Sequence, residues 1–274
     1  MAFMEVDFSS EVLGMNCQAN VIIPQSRAGV GVEGAAASAT AYPVLWLLHG
    51  ASDDHTIWSR FTSIERYVSS MNLAVVMPAA HLSAYINMVH GLRYFDFFTE
   101  ELPIIMGEFF PISSKREDNY VAGLSMGGNG ALTLGLGRPD LYSAIGCFSA
   151  GNFNMRLGKR TVINPRKSGK ASRDLAVYGV EDRAQLLGNP AYDCFAKAEA
   201  AIKSGAPLPR IFHCCGTEDF LYENASETAA WFRKHPQFSY EFHEAPGVHN
   251  WKFWDEWVQV FLKWLLPSEV KPAA

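Results

Sequence analysis

The chain has 274 residues, of which 49% are hydrophobic and 19% are charged, and its formal net charge is −5. These values predict a globular protein with a large core, and the mild acidity argues against nucleic-acid binding through a basic face. No apolar run approaches the roughly 20 residues that a membrane span requires, so no membrane partner is expected.

The first predicted elements are two antiparallel strands, at residues 4–9 and 13–24, followed by an exposed hairpin loop over residues 26–41. Apolar runs then predict strands at 43–48, 73–77, 120–124, 142–148 and 210–215, and an alternating run predicts a last strand at 238–243. Helices are predicted between them, at about 56–70, 98–110, 127–137, 192–204, 222–235 and 250–265. This alternation predicts an α/β fold: a mostly parallel central sheet with an antiparallel N-terminal edge and helices on both faces.

One segment, residues 152–191, departs from this alternation because it is polar, basic and rich in Gly and Asn. Insertions in such folds often cover the active site, so we expect one domain over residues 1–274 whose insertion lies over that site. The basic side chains of the insertion either attract an anionic substrate or simply face solvent; they are Lys159, Arg160, Arg166, Lys167, Lys170 and Arg173.

Five cysteines are dispersed along the chain without the spacing of a disulfide framework. An odd number of such cysteines is typical of reduced thiols, and the first residues lack the basic start and apolar stretch of a signal peptide. We therefore expect a cytoplasmic protein. A homo-oligomer is compatible with the sequence.

The strongest functional signal is the sequence GLSMG at residues 123–127, between a predicted strand and a predicted helix. A serine on such a turn is the nucleophile elbow of the α/β-hydrolase fold, which makes Ser125 the candidate nucleophile. Glycines on both sides suit a strained turn because they have no side chain. The predicted fold class is therefore the α/β-hydrolase fold.

A serine nucleophile needs a base and an acid that orients the base, and in this fold the chain order is serine, acid, histidine. The loop after the predicted strand 210–215 contains two carboxylates, Glu218 and Asp219. Either could serve as the acid, and Asp219 could instead cap the following helix. Of the eight histidines, His249 alone follows the last predicted strand in a loop that leads into a helix. It is the candidate base.

The oxyanion formed during ester hydrolysis needs two backbone N–H donors. The first candidate donor is Met126, the residue after the serine, and the second is Ala51, with Gly50 as the alternative. His49 is predicted to hold this loop by hydrogen bonding. The nearby Asp53, Asp54 and His55 have no recognised metal-ligand spacing, so no metal is expected.

Taken together, the motifs resemble the esterase D family of α/β-hydrolases, and most of all its tributyrin-esterase and acetylesterase-type members. The similar stretches are LHG at 48–50, DHT at 54–56 with Trp58, FDFFTEELP at 95–103, GLSMGG at 123–128, CGTEDFLY at 215–222 and HNW at 249–251. The resemblance implies Ser125, Asp219 and His249 as a catalytic triad, so it favours Asp219 over Glu218. It also implies serine carboxylesterase activity and no cofactor.

The predicted function is the hydrolysis of short-chain acyl esters of small molecules through an acyl-enzyme. Aromatic residues near the site, Trp58, Phe220 and Trp251, are the candidate substrate-binding residues. One alternative is a thioesterase of the S-formylglutathione hydrolase type, and another is an acetylxylan or feruloyl esterase that acts on carbohydrate esters. A non-catalytic binding module is disfavoured because no triad member is missing.

Overall fold

The described residues form one eight-stranded sheet in the order β1-β2-β4-β3-β5-β6-β7-β8. The structure is a computed structural model that describes residues 1–26, 30, 34, 41–152, 170–180 and 183–267. The strands are β1 (Ala2–Ser10), β2 (Met15–Ile23), β3 (Val44–Leu48), β4 (Ala74–Pro78), β5 (Asn119–Leu124), β6 (Ala144–Phe148), β7 (Arg210–Gly216) and β8 (Tyr240–Ala245).

The sheet is parallel from β4 to β8, whereas β1 and β2 form an antiparallel edge. This confirms the predicted sheet. The predicted hairpin loop over residues 26–41 is wrong, because β2 pairs with β1 and β4 and is not a neighbour of β3. Within that segment, residues 27–29, 31–33 and 35–40 lie outside the described residues.

Helices surround the sheet. Two predicted helices differ from the structure by more than two residues at an end or are broken, and the helix Lys170–Tyr178 was not predicted. The helices are α1 (Ile57–Phe61), α2 (Ile64–Tyr67), α3 (Tyr94–Asp96), α4 (Leu102–Phe109), α5 (Met126–Gly137), α6 (Lys170–Tyr178), α7 (Cys194–Ser204), α8 (Tyr222–Arg233) and α9 (Trp251–Leu265). The predicted helix 56–70 is broken because the Thr62 hydroxyl bonds to the backbone at both ends, donating to Trp58 O and accepting from Ile64 N–H. The predicted helix 98–110 begins earlier, at α3, and continues through a π-helical turn, Phe97–Glu101.

The central strands contribute alternate side chains to two separate cores, one on each face of the sheet. Along β3, Val44, Trp46 and Leu48 enter the first core, and Leu45 and Leu47 enter the second. Helix α5 covers the first face and helix α9 covers the second. A parallel sheet covered on both faces explains the continuous apolar runs in the sequence. No helix in the described part of the chain is long and apolar enough to span a membrane.

The insertion at residues 152–191 is described only in part. Helix α6 belongs to it, and the end of α6 accepts hydrogen bonds from the segment after β4: Val89 N–H donates to Val177 O, and His90 N–H donates to Ala176 O. Residues 153–169 and 181–182, with the six basic side chains, lie outside what the structure describes. The position of the insertion over the active site therefore stays a prediction.

The turn between β1 and β2 is tied to the π-helical turn by one carboxylate. Glu101 accepts hydrogen bonds from Glu11 N–H at 2.6 Å and Val12 N–H at 3.2 Å, and also from the Ser10 hydroxyl. Hydrogen bonds to an ionised group are stronger than neutral ones, so this contact stabilises the antiparallel edge.

We predict that Glu101→Ala lowers the free energy of unfolding by about 1–3 kcal/mol, because the backbone donors of the turn lose their acceptor. Urea unfolding measures the change. The matched control is Glu100→Ala at the neighbouring exposed residue, for which a far smaller change is expected. Equal losses in the two variants would contradict the role of the Glu101 carboxylate.

Candidate active site

Ser125 lies on a strained turn between β5 and α5. Its backbone is left-handed, with φ 53° and ψ −115°, which is uncommon for a residue with a side chain. The turn ends at Met126, the first residue of α5, whose N–H has no partner within the helix. Strain of this kind is typical of functional residues that the surrounding structure holds in place. The arrangement places the serine hydroxyl at the N-terminus of a helix.

The glycines of the GLSMG motif allow close backbone contact around the serine. A Cβ at Gly127 would lie 2.6 Å from both Leu48 O and His49 O, and one at Gly123 would lie 2.6 Å from Gly127 O. A side chain at either position would force the turn away from the end of β3. The two glycines therefore let the serine turn and the loop after β3 pack against each other.

Ser125, His249 and Asp219 form a continuous hydrogen-bonded chain. His249 Nε2 lies 3.0 Å from Ser125 Oγ, and its Nδ1 lies 2.8 Å from Asp219 Oδ2 and 3.0 Å from Oδ1. The Asp219 side chain is fully buried, whereas that of His249 is 16% exposed. The three residues come from the ends of three different elements, and the sheet brings them together at the carboxyl edge of its parallel strands.

The loop of Asp219 and the loop of His249 are joined by backbone hydrogen bonds. Thr217 N–H donates to Ala245 O at 2.9 Å, and Glu218 N–H donates to Gly247 O at 3.0 Å. The Glu218 carboxylate faces away from His249 and accepts a hydrogen bond from Gly247 N–H, which lowers its pKa. Of the two carboxylates that the sequence offered, the structure places Asp219 beside the histidine and Glu218 on the exposed side.

Asp219 also bonds to the backbone of its own loop. Its Oδ1 accepts a hydrogen bond from Leu221 N–H at 2.8 Å, just before α8. The alternative prediction, that Asp219 caps this helix, is wrong, because the N-cap residue is Leu221 and no side chain caps the helix. The Asp219 carboxylate bonds both to Leu221 N–H and to His249.

The loop after β3 approaches Ser125 from the other side. A Cβ at Gly50 would lie 3.7 Å from Ser125 Cβ and 2.6 Å from Leu124 Cδ1. The backbone turns away after Ala51, because Ser52 has a left-handed φ of 69°. Burial raises the pKa of the nearby Asp53 carboxyl, and the Asp53 N–H donates to Gly50 O at 3.4 Å.

His49 holds this loop from within the protein. Its side chain is buried, its Nδ1 lies 2.7 Å from Gly50 O, and its Nε2 lies 2.9 Å from the N of Ala80. Because Ala80 N–H donates to Nε2, the ring proton is on Nδ1 and is donated to Gly50 O. Burial lowers the pKa of His49 to about 4, so the ring is neutral at physiological pH.

The three candidate substrate-binding aromatics have different environments. Phe220 is 59% exposed, and its ring centroid lies 4.4 Å from that of His249. Trp251 is half-buried and stacks on Phe61 with ring centroids 5.4 Å apart. Trp58 is 1% exposed, and its indole N–H donates to Leu48 O. The structure thus places Trp58 in the core, where it supports the end of β3, and leaves Phe220 and Trp251 near the site surface.

Two neighbours of the site make contacts that were not predicted from the sequence. Trp254 lies edge-on to His249, with ring centroids 4.9 Å apart, and the Tyr85 hydroxyl donates to His49 O at 2.8 Å. Both residues are buried. Gly127 and Gly130 lie on one face of α5, and this spacing is a sequence signal that another part of the chain packs closely there. A Cβ at Gly130 would lie 2.3 Å from the Tyr85 ring.

A cavity of about 420 Å³ lies at the opposite edge of the sheet, at the amino ends of the parallel strands. Its walls include Trp46, Ile104, Ser113, Asn119 and Tyr142, and none of the three hydrogen-bonded residues above lines it. Ligands of open α/β sheets bind at the carboxyl edge of the strands. We therefore take the Ser125 region, and not this cavity, as the functional site.

Known proteins similar to this chain include esterases and a serine hydrolase. An acetyl esterase of Caldicellulosiruptor saccharolyticus is 26% identical over 266 residues, which cover 97% of this chain and 98% of that protein. Two Staphylococcus aureus structures are each 28% identical, with 97% of this chain and 98% of theirs covered. They are FphF, a fluorophosphonate-binding serine hydrolase, with a TM-score of 0.83, and the S-formylglutathione hydrolase FrmB, with a TM-score of 0.81.

The fold and these similarities define a carboxylic ester hydrolase with the α/β-hydrolase fold. The chain belongs to the family described as "Putative esterase", whose model matches residues 10–264. The resemblance to the esterase D family, drawn from the sequence motifs, is confirmed. The chain is therefore an esterase.

Proposed function

We propose that this esterase hydrolyses short-chain acyl esters through a covalent acyl-enzyme on Ser125, with His249 as the general base and Asp219 as the acid that orients it. One observation supports the proposal above all others. The hydroxyl, the imidazole and the buried carboxylate form one hydrogen-bonded chain that begins on a strained turn at a helix N-terminus. This is the arrangement that a serine hydrolase requires.

In the first half-reaction, Ser125 Oγ attacks the ester carbonyl carbon while its proton passes to His249 Nε2. The carbonyl oxygen becomes an oxyanion in a tetrahedral intermediate. When this intermediate collapses, the bond to the alkoxy oxygen breaks, and His249 gives the proton to the leaving alcohol. Asp219 stays ionised and holds Nδ1–H, which keeps the imidazole in the tautomer that can accept a proton at Nε2.

In the second half-reaction, water takes the place of the alcohol. His249 removes one proton from the water as its oxygen attacks the acyl carbon. The proton then returns to Ser125 Oγ as the acyl bond to serine breaks, and the carboxylic acid leaves. The partial exposure of the His249 side chain, 16%, is compatible with the access of water from the solvent side.

The oxyanion is proposed to accept hydrogen bonds from the backbone N–H groups of Met126 and Ala51. Met126 is the first residue of α5, so its N–H is free of intrahelical bonding and has the favourable dipole of the helix start. Ala51 is favoured over Gly50, because Ala51 is partly exposed whereas Gly50 is buried.

A short acyl group suits the close packing around Ser125. Leu124 is 1% exposed, Met126 is 7% exposed, and Gly50 has no room for a Cβ beside Leu124. The similarity to an acetyl esterase agrees with this choice. Phe220 and Trp251, at the site surface, are proposed to contact the substrate.

A thioester substrate is the second candidate, and one observation favours it: the similarity to the S-formylglutathione hydrolase FrmB over 97% of this chain. The same triad can cleave a thioester, since the leaving group is then a thiol in place of an alcohol. A comparison of S-formylglutathione with ethyl formate separates the two, because both substrates transfer the same acyl group.

We predict that Ser125→Ala loses on the order of 10⁴–10⁶-fold in kcat/KM, because the nucleophilic oxygen is absent. The fold should persist, so the melting temperature is measured in parallel. Ser114→Ala, an exposed serine beside the cavity at the opposite sheet edge, is the matched control and should keep full activity. A fluorophosphonate should label the wild type at Ser125, as peptide mass mapping can check. A folded Ser125→Ala enzyme with wild-type activity would overturn the nucleophile assignment.

We predict that Asp219→Asn lowers kcat/KM by on the order of 10³–10⁴-fold, because an amide favours the wrong histidine tautomer. The Asn oxygen can still accept the hydrogen bond from Leu221 N–H, so the loop itself should be retained. The adjacent Glu218→Gln is the control, and a loss below about tenfold is expected because its oxygen can still accept from Gly247 N–H. A larger loss in Glu218→Gln than in Asp219→Asn would reverse the acid assignment.

We predict that kcat/KM falls with acyl length beyond about six carbons in a series of ethyl esters from acetate to decanoate. An open apolar groove would instead gain about 0.8 kcal/mol for each buried methylene and show a steady rise. The same series on Phe220→Ala tests the proposed substrate contact, with Phe109→Ala as the control for an exposed phenylalanine elsewhere. A steady rise through decanoate would refute the short-acyl proposal. Identical profiles in the two variants would remove Phe220 from the binding site.

A further inference from the structure

The segment after β4, residues 79–85, contacts His49 through residues near both of its ends. His49 begins the loop after β3, which contains the proposed oxyanion donor Ala51. Ala80 N–H donates to His49 Nε2 at 2.9 Å, and the Tyr85 hydroxyl donates to His49 O at 2.8 Å. His49 is thus held through its ring and through its peptide carbonyl by one segment. Neither contact belongs to the triad or to the proposed pair of N–H donors.

The Tyr85 ring is enclosed between this segment and α5. It is 0% exposed, and a Cβ at Gly130 would lie 2.3 Å from its Cδ2 atom. One turn earlier on the same helix face, a Cβ at Gly127 would lie 2.6 Å from His49 O, which is the acceptor of the Tyr85 hydroxyl. The two glycines therefore accommodate both partners of the hydrogen bond on the helix that begins directly after Ser125.

The backbone at Tyr85 is held in an unfavourable conformation. Ala84 and Tyr85 have left-handed φ values of 54° and 60°, and the Ser83 hydroxyl oxygen accepts a hydrogen bond from Tyr85 N–H at 3.1 Å. Consecutive left-handed residues that have a Cβ are rare, and they persist where the surroundings require them. Here the conformation directs the ring inward to His49.

We propose that Tyr85 is a positioning residue for the oxyanion hole, an inference that rests on the proposed function. Its hydroxyl holds the carbonyl of His49, and the His49 ring in turn donates from Nδ1 to Gly50 O. That oxygen belongs to the peptide between Gly50 and Ala51, whose N–H is the proposed oxyanion donor. These contacts link the Tyr85 hydroxyl to the peptide that carries the Ala51 N–H, and they hold that peptide in its orientation.

Tyr85 acts through other residues, because its buried side chain is out of reach of the substrate. The oxyanion donors contribute to the rate only when they lie at hydrogen-bond distance from the oxygen in the tetrahedral intermediate. A displacement of about 1 Å in such a site can cost on the order of 100-fold in rate. The loss of the Tyr85 hydroxyl should thus lower kcat more than it alters KM.

The test compares Tyr85→Phe with Tyr142→Phe, a matched control in the same core. Tyr142 is also buried, and its hydroxyl also donates to a backbone carbonyl, Phe98 O at 3.3 Å, but it lies at the opposite sheet edge. Each variant loses one buried hydroxyl. Measurements are the melting temperature, kcat and KM for ethyl acetate, and Ki for a short-chain trifluoromethyl ketone, which forms a tetrahedral adduct with the serine.

We expect Tyr85→Phe to lose on the order of 10–100-fold in kcat, with a similar loss of trifluoromethyl ketone affinity and a KM change below about threefold. Tyr142→Phe should change kcat, KM and Ki by less than about threefold while its melting temperature falls by a similar amount. Equal kcat and Ki in the two variants would overturn the proposal. So would a Tyr85→Phe variant whose inhibitor affinity is unchanged while KM rises.

A second variant keeps the proposal testable where Tyr85→Phe does not fold. Ser83→Ala removes the acceptor of Tyr85 N–H but retains the tyrosine hydroxyl, so a smaller loss of kcat and of inhibitor affinity is expected. Values for Ser83→Ala that match those of Tyr142→Phe would count against the proposal. Failure of the proposed function is detected separately, by an active Ser125→Ala enzyme or by labelling at another residue.

Discussion

The site depends on one close backbone contact, between the first turn of α5 and the end of β3. Gly127 lies so near Leu48 O and His49 O that no side chain fits between them. This contact sets the distance between the two proposed sources of oxyanion donors, Met126 and Ala51. It also explains why the strained conformation of Ser125 is tolerated, since the turn is enclosed by β3 on one side and by β6 through the hydrogen bond from Ser125 N–H to Phe148 O.

The remaining residues of the site lie in loops that follow other strands, at the same edge of the sheet. Backbone hydrogen bonds join the loops after β7 and β8 to each other, at residues that precede Asp219 and His249 in the chain. The relative position of Asp219 and His249 is therefore fixed by the contacts between their own two loops. The chain order of serine, acid and histidine follows from the order of β5, β7 and β8 in the parallel sheet.

The sequence was sufficient for the fold class and for Ser125 and His249 of the proposed triad, because these depend on strand order and on loop position. Periodicity gave the strands, and the parallel arrangement placed their following loops at one edge. The sequence left Glu218 and Asp219 open, since neighbouring residues in a loop can each point inward. The structure separates them by burial, with the Asp219 side chain enclosed and Glu218 exposed.

Burial and backbone strain could not be predicted in the same way. Trp58 follows a motif of the site but packs into the core, because its indole N–H finds an acceptor at Leu48 O. The left-handed conformation of Tyr85 has no sequence signal, because it arises from contacts with α5 and His49, which are distant in the chain. The break after α1 depends on a single threonine hydroxyl that competes for backbone groups. The first two features are tertiary effects, whereas the break after α1 is a local competition of one side chain with the helix backbone.

The two sides of the site differ in a way that suits a two-step hydrolysis. On the proposed oxyanion side, His49 and Tyr85 are buried and the proposed donors belong to the backbone. On the side of the base, His249 is partly exposed and Phe220 is 59% exposed. The proposed alcohol product must leave past His249, and water must enter by the same route before the acyl-enzyme can be hydrolysed. A buried oxyanion side and an open base side suit the proposed two steps, since preorganised donors stabilise charge and an open side permits exchange of the leaving group for water.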